Sequence, residues 1–215
     1  MSSRKPTVVG IDVGGTRKGF HAVALKDGCF VDTTESRDPS ALADWCRDHD
    51  ARLVAVDCPC KWSRTDSSRR AERVLKIGGQ IIQCFKTPTR KVAMRNQTTR
   101  PEGKRFYDWI FNGEQLYRQL APHYLLFDRT RRNGPVVFET FPHAVVCALK
   151  GKVVLAKPKS KVRRQTLRDR GFDISALRNI DFVDAALCAL TAQEFLKNRW
   201  QWFGDKREGF IVAPA

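Results

Sequence analysis

The strongest constraint on the fold comes from three short apolar runs that each end on an acidic residue. They are residues 8–12 (VVGID), 53–57 (LVAVD) and 136–139 (VVFE). Short runs rich in β-branched residues are typical of buried strands in an α/β sheet. Because ligands of such sheets bind beyond the carboxyl ends of the strands, we expect Asp12, Asp57 and Glu139 to lie along one edge.

The rest of the pattern predicts how this sheet is connected. Residues 20–25 and 29–34 indicate two further strands joined at Asp27-Gly28, so the sheet begins as an antiparallel meander. The helical signals fall at Asp38-Pro39-Ser40, from a cap at 66–68 to Gly78-Gly79, at 107–120, from Pro142, and at 181–196. Between them, residues 85–105 lose periodicity and predict a basic loop or lid. The sequence thus predicts one α/β domain over residues 7–215, after a flexible segment 1–6.

The net charge of +16 indicates a surface that attracts polyanions. The basic residues cluster at 85–105 and 150–170, which favours nucleic acid, DNA or RNA, as the partner. In the first cluster we expect Arg90, Lys91 and Arg95 to contact the substrate. The alternative is a charge surplus that only keeps the protein soluble.

Seven scattered cysteines, an odd number without framework spacing, favour a reducing compartment. The close pair Cys58 and Cys60 could bind a metal or cycle redox, but no second pair supplies the other ligands of a tetrahedral site. No apolar stretch reaches the length of a signal peptide or a membrane span. We therefore expect a cytoplasmic protein without a membrane partner.

Two more acids, Asp181 and Asp184, begin the last predicted helix and point to one face at their spacing of three residues. Carboxylates gathered at one site repel each other unless a proton or a cation intervenes. Hard oxygen ligands select Mg²⁺ or Mn²⁺. Two such ions about 4 Å apart activate a water and stabilise the leaving oxygen of a phosphodiester. The acids therefore predict a two-metal carboxylate site.

Seven segments of the chain resemble, in order, the blocks of the domain-of-unknown-function family 429, which is described as predicted nucleases with a ribonuclease H fold. The segments are GIDVGGTRKGF, AVDCP, RRAERVL, FKTPTR, FETFPHA, DFVDAALCALTA and REGFIVAP. The resemblance implies a mixed five-stranded sheet of order 3-2-1-4-5, flanked by helices and carrying a basic insertion.

The same resemblance implies the site residues. Asp12 and Asp57 would lie side by side with Asp184 from the terminal helix, as in Holliday-junction resolvases of this superfamily. These three would bind Mg²⁺ or Mn²⁺, and Glu139 matches the family's Glu as a further catalytic residue. The implied activity is that of a metal-dependent nuclease.

Three other residues are predicted to contact substrate. Lys61 and Trp62 follow Asp57 closely, and the indole of Trp62 can stack on a base. His143, at a helix start, can touch a phosphate or shuttle a proton, although such a residue is more often structural.

Two alternative functions stay open from the sequence. One is a nucleic-acid-binding protein of the same fold without catalysis, for which the basic segments suffice. The other is a phosphate-loop ATPase or kinase, because residues 12–16 (DVGGT) also look like the first phosphate loop of sugar kinases and actin-like ATPases. Those proteins need a second such loop, and this chain has none.

Overall fold

A computed structural model describes residues 5–65, 67–101, 104–130 and 134–215. Its strands are β1 (Thr7–Val13), β2 (Phe20–Lys26), β3 (Cys29–Ser36), β4 (Ala51–Asp57), β5 (Lys76–Ile77), β6 (Gln80–Ile81), β7 (Leu125–Leu126), β8 (Val136–Thr140), β9 (Trp200–Asp205) and β10 (Gly209–Pro214). Its helices are α1 (Pro39–Asp48), α2 (Arg70–Val74), α3 (Arg90–Thr99), α4 (Asp108–Leu120), α5 (Pro142–Lys150), α6 (Lys159–Asp169) and α7 (Ile180–Leu196).

The main sheet has the strand order β3-β2-β1-β4-β8-β10-β9, with the short β7 also paired to β8. Strands β1, β2 and β3 are antiparallel neighbours, whereas β4 and β8 run parallel to β1. This arrangement confirms the predicted ribonuclease H-like order 3-2-1-4-5, with β8 in the fifth position.

The sheet is wider than the five strands predicted. Strand β10 lies parallel to β8, and β9 pairs antiparallel with β10. Every residue of β10 is buried, and its side chains belong to apolar clusters on both faces of the sheet. Strand β10 is therefore an interior strand, and β9 covers its outer edge.

Helix α7 packs across β1, β2 and β4 and carries Asp184 to the edge of the sheet. Gly10 makes this close approach possible, because a Cβ there would lie 2.1 Å from both the carbonyl oxygen of Ala185 and the amide nitrogen of Ala189. Every residue from Phe182 to Glu194 is buried, so the helix lies between the sheet and other helices rather than on the surface. A substitution at Gly10 would push the helix, and Asp184 with it, away from Asp12.

Most of the predicted helices are confirmed. Helix α1 begins after Asp38, whose carboxylate accepts a hydrogen bond of 2.8 Å from the amide of Ser40, and Pro142 is the first residue of α5. The helix expected to reach Gly78-Gly79 ends already at Val74 and is followed by the hairpin β5–β6; its candidate cap Asp66 lies outside the described residues.

The prediction of a loop or lid at 85–105 was wrong for its centre, where α3 forms. The helix is capped by Thr89, whose hydroxyl oxygen accepts from the amide of Val92. Among its described residues only Ala93 is buried, so the apolar repeat that marks a helix in sequence is missing.

The predicted domain boundaries at 7–215 stay a prediction, and residues 1–4 of the predicted flexible segment lie outside the described residues. None of the helices in the described ranges is long and apolar enough to cross a membrane.

Candidate metal centre

Three carboxylates converge at the carboxyl edge of the sheet. Asp12 of β1 and Asp57 of β4 are directly paired in the parallel register of the two strands. Asp184, in the second turn of α7, is fully buried and reaches the same point. One oxygen of each side chain lies within 4.8 Å of the others. The structure therefore brings together the three residues that were predicted as metal ligands.

Two cations from α6 face Asp184. Arg163 donates a hydrogen bond to its Oδ1, and the Nζ atom of Lys159 lies 2.8 Å from its Oδ2. The contact with Lys159 is close enough for an ion pair but does not have the geometry of a hydrogen bond. The Oδ2 atom accepts no hydrogen bond from the residues described. One oxygen of this buried carboxylate thus keeps a free lone pair.

A third cation, Lys18, comes from the turn between β1 and β2. Its Nζ atom donates a hydrogen bond of 2.6 Å to Asp181 and lies 4.0 Å from Asp12 Oδ2. The acids are therefore surrounded by positive charge from two sequence-distant segments, the first hairpin and the basic stretch 150–170.

Crowding of the acids changes their proton affinities. Burial, reinforced by the charge of Asp184 and only partly offset by Lys18, raises the pKa of Asp12 to about 7. Burial also raises the pKa of Asp57 well above its usual value, and the charges of Asp12 and Asp184 raise it further. Both effects follow from placing like charges together out of water. A bound cation would relieve them.

In EDTA we expect the free energy of unfolding to fall as the pH rises from 5.5 to 8. An acid whose pKa is higher in the folded than in the unfolded chain stabilises the fold while protonated, and this contribution is lost as the pH passes the folded pKa, here about 7 for Asp12. The loss should be roughly 1–3 kcal/mol at the scale of 1.36 kcal/mol per pKa unit.

The measurement is urea denaturation at several pH values for the parent and Asp12→Asn. The difference between the two removes contributions from the histidines, and it should flatten when millimolar Mn²⁺ is added. Equal pH slopes for parent and variant in EDTA would contradict the shifted pKa of Asp12.

Glu139 lies in the next strand but does not join the three acids. Its carboxylate is held by Arg69 through contacts of 2.5 and 2.7 Å, and it accepts a third hydrogen bond of 2.9 Å from the amide of Cys60. Arg69 is itself almost fully buried. Both carboxylate oxygens of Glu139 therefore accept hydrogen bonds from the protein itself. Its catalytic role stays a prediction.

The cysteine pair lies beside this ion pair. Burial raises the pKa of Cys58 well above its ordinary value and that of Cys60 to about 12, and in each the nearby charge of Glu139 adds to the effect. Both thiols are therefore protonated at neutral pH, which disfavours thiolate chemistry at this point.

The residues predicted to contact substrate have different surroundings. Trp62 and Arg90 both bind the carboxylate of Glu114, at 3.2 and 3.1 Å. The ammonium of Lys61 donates to the carbonyl oxygen of Lys206. The residues Lys91 and Arg95 are exposed on α3. Their roles stay predictions.

His143 is half-buried at the start of α5, with Nε2 3.9 Å from the sulfur of Cys147. Burial lowers its pKa, and the charge of Arg163 lowers it further. The ring is therefore neutral at pH 7, and its predicted contact with substrate is not tested by these neighbours.

Several residues that surround the acids were not predicted from the sequence as site residues: Lys18, His21, Lys159, Arg163 and Asp181. A signal existed for His21, because residues 12 and 21 face each other in the register of the predicted first hairpin. No comparable signal places α6 next to α7.

The strand order of the sheet and the carboxylates at its edge define a ribonuclease H-like α/β protein with an acidic site. The family model for a protein of unknown function, DUF429, matches residues 10–208, and the chain belongs to this family. A RuvC structure from Thermus thermophilus is similar in shape, with 15% sequence identity, 89% of this chain and 96% of that chain covered, and a TM-score of 0.43. No curated protein sequence matches significantly.

Proposed function

We propose that this protein is a Mg²⁺- or Mn²⁺-dependent nuclease that hydrolyses phosphodiester bonds of nucleic acid. The observation that carries the proposal is the convergence of Asp12, Asp57 and Asp184 within 4.8 Å at the carboxyl ends of parallel strands. Cationic side chains of the first turn and of α6 lie beside these acids. A divalent cation relieves the repulsion of the acids, and the basic residues attract the polyanion.

The donor set fits a hard divalent cation. All three side chains offer carboxylate oxygens, which Mg²⁺ and Mn²⁺ prefer. The buried Oδ2 of Asp184 accepts no hydrogen bond from the described part of the chain, so a metal ion that binds this oxygen takes the place of the Lys159 ammonium. Lys159, whose side chain is about half exposed, can withdraw when an ion arrives.

A polar cavity of about 250 Å³ adjoins the acids and suits a phosphate group. It is lined by Gly15, Thr16, Arg17, Lys18, Arg105, Asp108 and Trp109. Lys18 contributes to both places, since its ammonium also faces Asp12 and Asp181. A strand of nucleic acid bound along Arg17 and Arg105 would therefore pass directly by the carboxylates.

The turn between β1 and β2, residues 14–19, argues against a phosphate-loop ATPase. The amide of Thr16 donates to Asp108, and the amides of Gly14, Lys18 and Gly19 donate to carbonyl oxygens within the turn. A phosphate loop needs such amides to face the ligand. In addition, Asp108 accepts hydrogen bonds from both the amide and the hydroxyl of Thr16, so neither group of this turn faces a nucleotide phosphate.

Each part of the site has a defined task in the proposed reaction. When bound, a divalent ion supplies an activated water and stabilises the charge that develops on the leaving oxygen. Asp12, Asp57 and Asp184 hold that ion, and Arg163 fixes the orientation of Asp184 from its buried position. Arg17 and Arg105 hold the phosphates, and Lys18 moves between carboxylate and phosphate.

The test is cleavage of a panel of single- and double-stranded DNA, RNA and junction substrates by the purified protein. We expect cleavage with Mn²⁺ or Mg²⁺ and none in EDTA. In EDTA the protein should still bind, with an affinity that falls steeply with salt, because bound phosphates release counterions. Salt-dependent binding without cleavage of any substrate would favour the non-catalytic binding protein. Metal-dependent ATP hydrolysis without cleavage would favour the phosphate-loop alternative.

A further inference from the structure

His21 of β2 lies directly opposite Asp12 in the antiparallel pair β1–β2, so both side chains are on the same face of the sheet. The imidazole is only 6% exposed. Its ring packs against that of Phe182 in a T-shaped contact with centroids 4.9 Å apart. The sheet and α7 therefore hold His21 in place beside the acids.

The two ring nitrogens of His21 have different surroundings. Nε2 lies 3.8 Å from a carboxylate oxygen of Glu35, on the neighbouring strand β3. Nδ1 is buried and has no hydrogen-bond partner within the described ranges. A carboxylate near Nε2 favours the tautomer with its proton on that atom, as in the carboxylate–histidine pairs that support metal ligands. The lone pair then lies on the unpartnered Nδ1.

A nitrogen of His21 and one oxygen each of Asp12 and Asp181 lie within 4.8 Å of one another. Opposite ligands of an octahedral ion with bonds of about 2.1 Å lie about 4.2 Å apart, so small side-chain movements suffice to bind one.

A cation already lies against these acids, namely the ammonium of Lys18. It is 2.6 Å from Asp181 and 4.0 Å from Asp12. Its side chain is half exposed and comes from the glycine-containing turn between β1 and β2, so it can withdraw toward the phosphate cavity. The position thus attracts positive charge, and the Lys18 ammonium that lies there belongs to a side chain that can move away when a metal ion binds.

We propose that Asp12, His21 and Asp181 form a second cation site, which shares Asp12 with the first and prefers Mn²⁺ to Mg²⁺. Without a bound metal ion, the ammonium of Lys18 occupies this site. The nitrogen donor gives the preference, since imidazole ligates transition-metal ions better than Mg²⁺. This inference deepens the proposed function and rests on it, because it assigns the second ion of the two-metal reaction. Binding of a Mn²⁺ ion here requires Lys18 to leave, which releases that ammonium for a substrate phosphate.

The experiment is a titration of the full-length, EDTA-stripped protein with Mn²⁺, with free Mn²⁺ measured by electron paramagnetic resonance. The parent should bind two ions per chain, and both His21→Gln and Asp184→Asn should bind one. Lys18→Met should bind the second ion at least about tenfold more tightly, because a competing charge is removed. A large excess of Mg²⁺ should displace one Mn²⁺ from the parent and the remaining Mn²⁺ from His21→Gln.

The matched control is His49→Gln, since His49 also has a carboxylate neighbour, Asp32 at 3.2 Å, but lies away from the acids. It should bind two ions. Circular dichroism checks the fold of each variant, and Lys18→Met tests the site even if His21→Gln does not fold. Unchanged binding in both His21→Gln and Lys18→Met would overturn this site, while loss of one ion in Asp184→Asn would still support the proposed function. A parent that binds no Mn²⁺ would overturn both.

Discussion

Asp57→Asn is expected to lower metal-dependent cleavage by roughly a thousandfold or more, the scale seen when a group that stabilises transition-state charge is lost. Asp57 is paired with Asp12 at the edge of the sheet and supplies one of the three carboxylates that hold the ion. The amide keeps the shape of the side chain but removes its charge. Asp12→Asn should have the same effect, because that residue shares the same cluster.

Binding of nucleic acid in EDTA should change by only a few-fold in the same variants, because the basic residues and not the acids attract phosphates. Cleavage rates at saturating Mn²⁺ and affinities in EDTA give the two numbers to compare. Asp44→Asn is the matched control, since Asp44 is an exposed partner of Arg47 on α1 and belongs to neither group of clustered acids. Asp57→Asn with cleavage within a few-fold of the parent would remove this residue from the catalytic machinery.

The central part of the site could be predicted because strand polarity puts the acids at one edge of the sheet, and the family resemblance adds that the strands of Asp12 and Asp57 are neighbours. Three apolar runs ending in acids predict adjacent strand ends, and the helical spacing of Asp181 and Asp184 puts both on one face of the last helix. The packing of α7 onto β1 adds the third carboxylate. This packing depends on Gly10, where α7 comes closest to β1, and that close approach is visible only in the structure.

The basic surroundings of the acids could not be predicted in the same way. Lys159 and Arg163 belong to a segment whose sequence indicates only charge, and their contact with Asp184 depends on how α6 packs against α7. The extension of the sheet by β9 and β10 likewise depends on contacts between distant segments. Glu139 shows most clearly what the sequence leaves open, because its position at the end of a strand was predicted correctly and its ion-pair partner Arg69 was not predicted.

Arg69→Met is expected to lower the free energy of unfolding by about 3–5 kcal/mol, the cost of breaking a buried ion pair from one side. The guanidinium binds Glu139 with two nitrogens and Glu72 with the third, at 2.5–2.7 Å. All three side chains are at most 5% exposed. Without Arg69, two buried carboxylates lose their counter-charge.

One further measurement separates this cause from simple loss of packing. Adding Glu139→Gln to Arg69→Met should restore part of the loss, because it removes one of the two uncompensated charges. Arg47→Met, at the exposed pair with Asp44, should cost at most about 1 kcal/mol.

Urea denaturation in EDTA measures all of these variants without interference from metal. A double variant no more stable than Arg69→Met would mean that packing, and not charge, is what Arg69 contributes. The single variant Glu139→Gln then decides between the two roles of that acid: if it is structural, as its contacts with Arg69 and the Cys60 amide imply, the variant loses stability but retains cleavage per folded molecule. If cleavage falls with stability unchanged, Glu139 acts in the reaction.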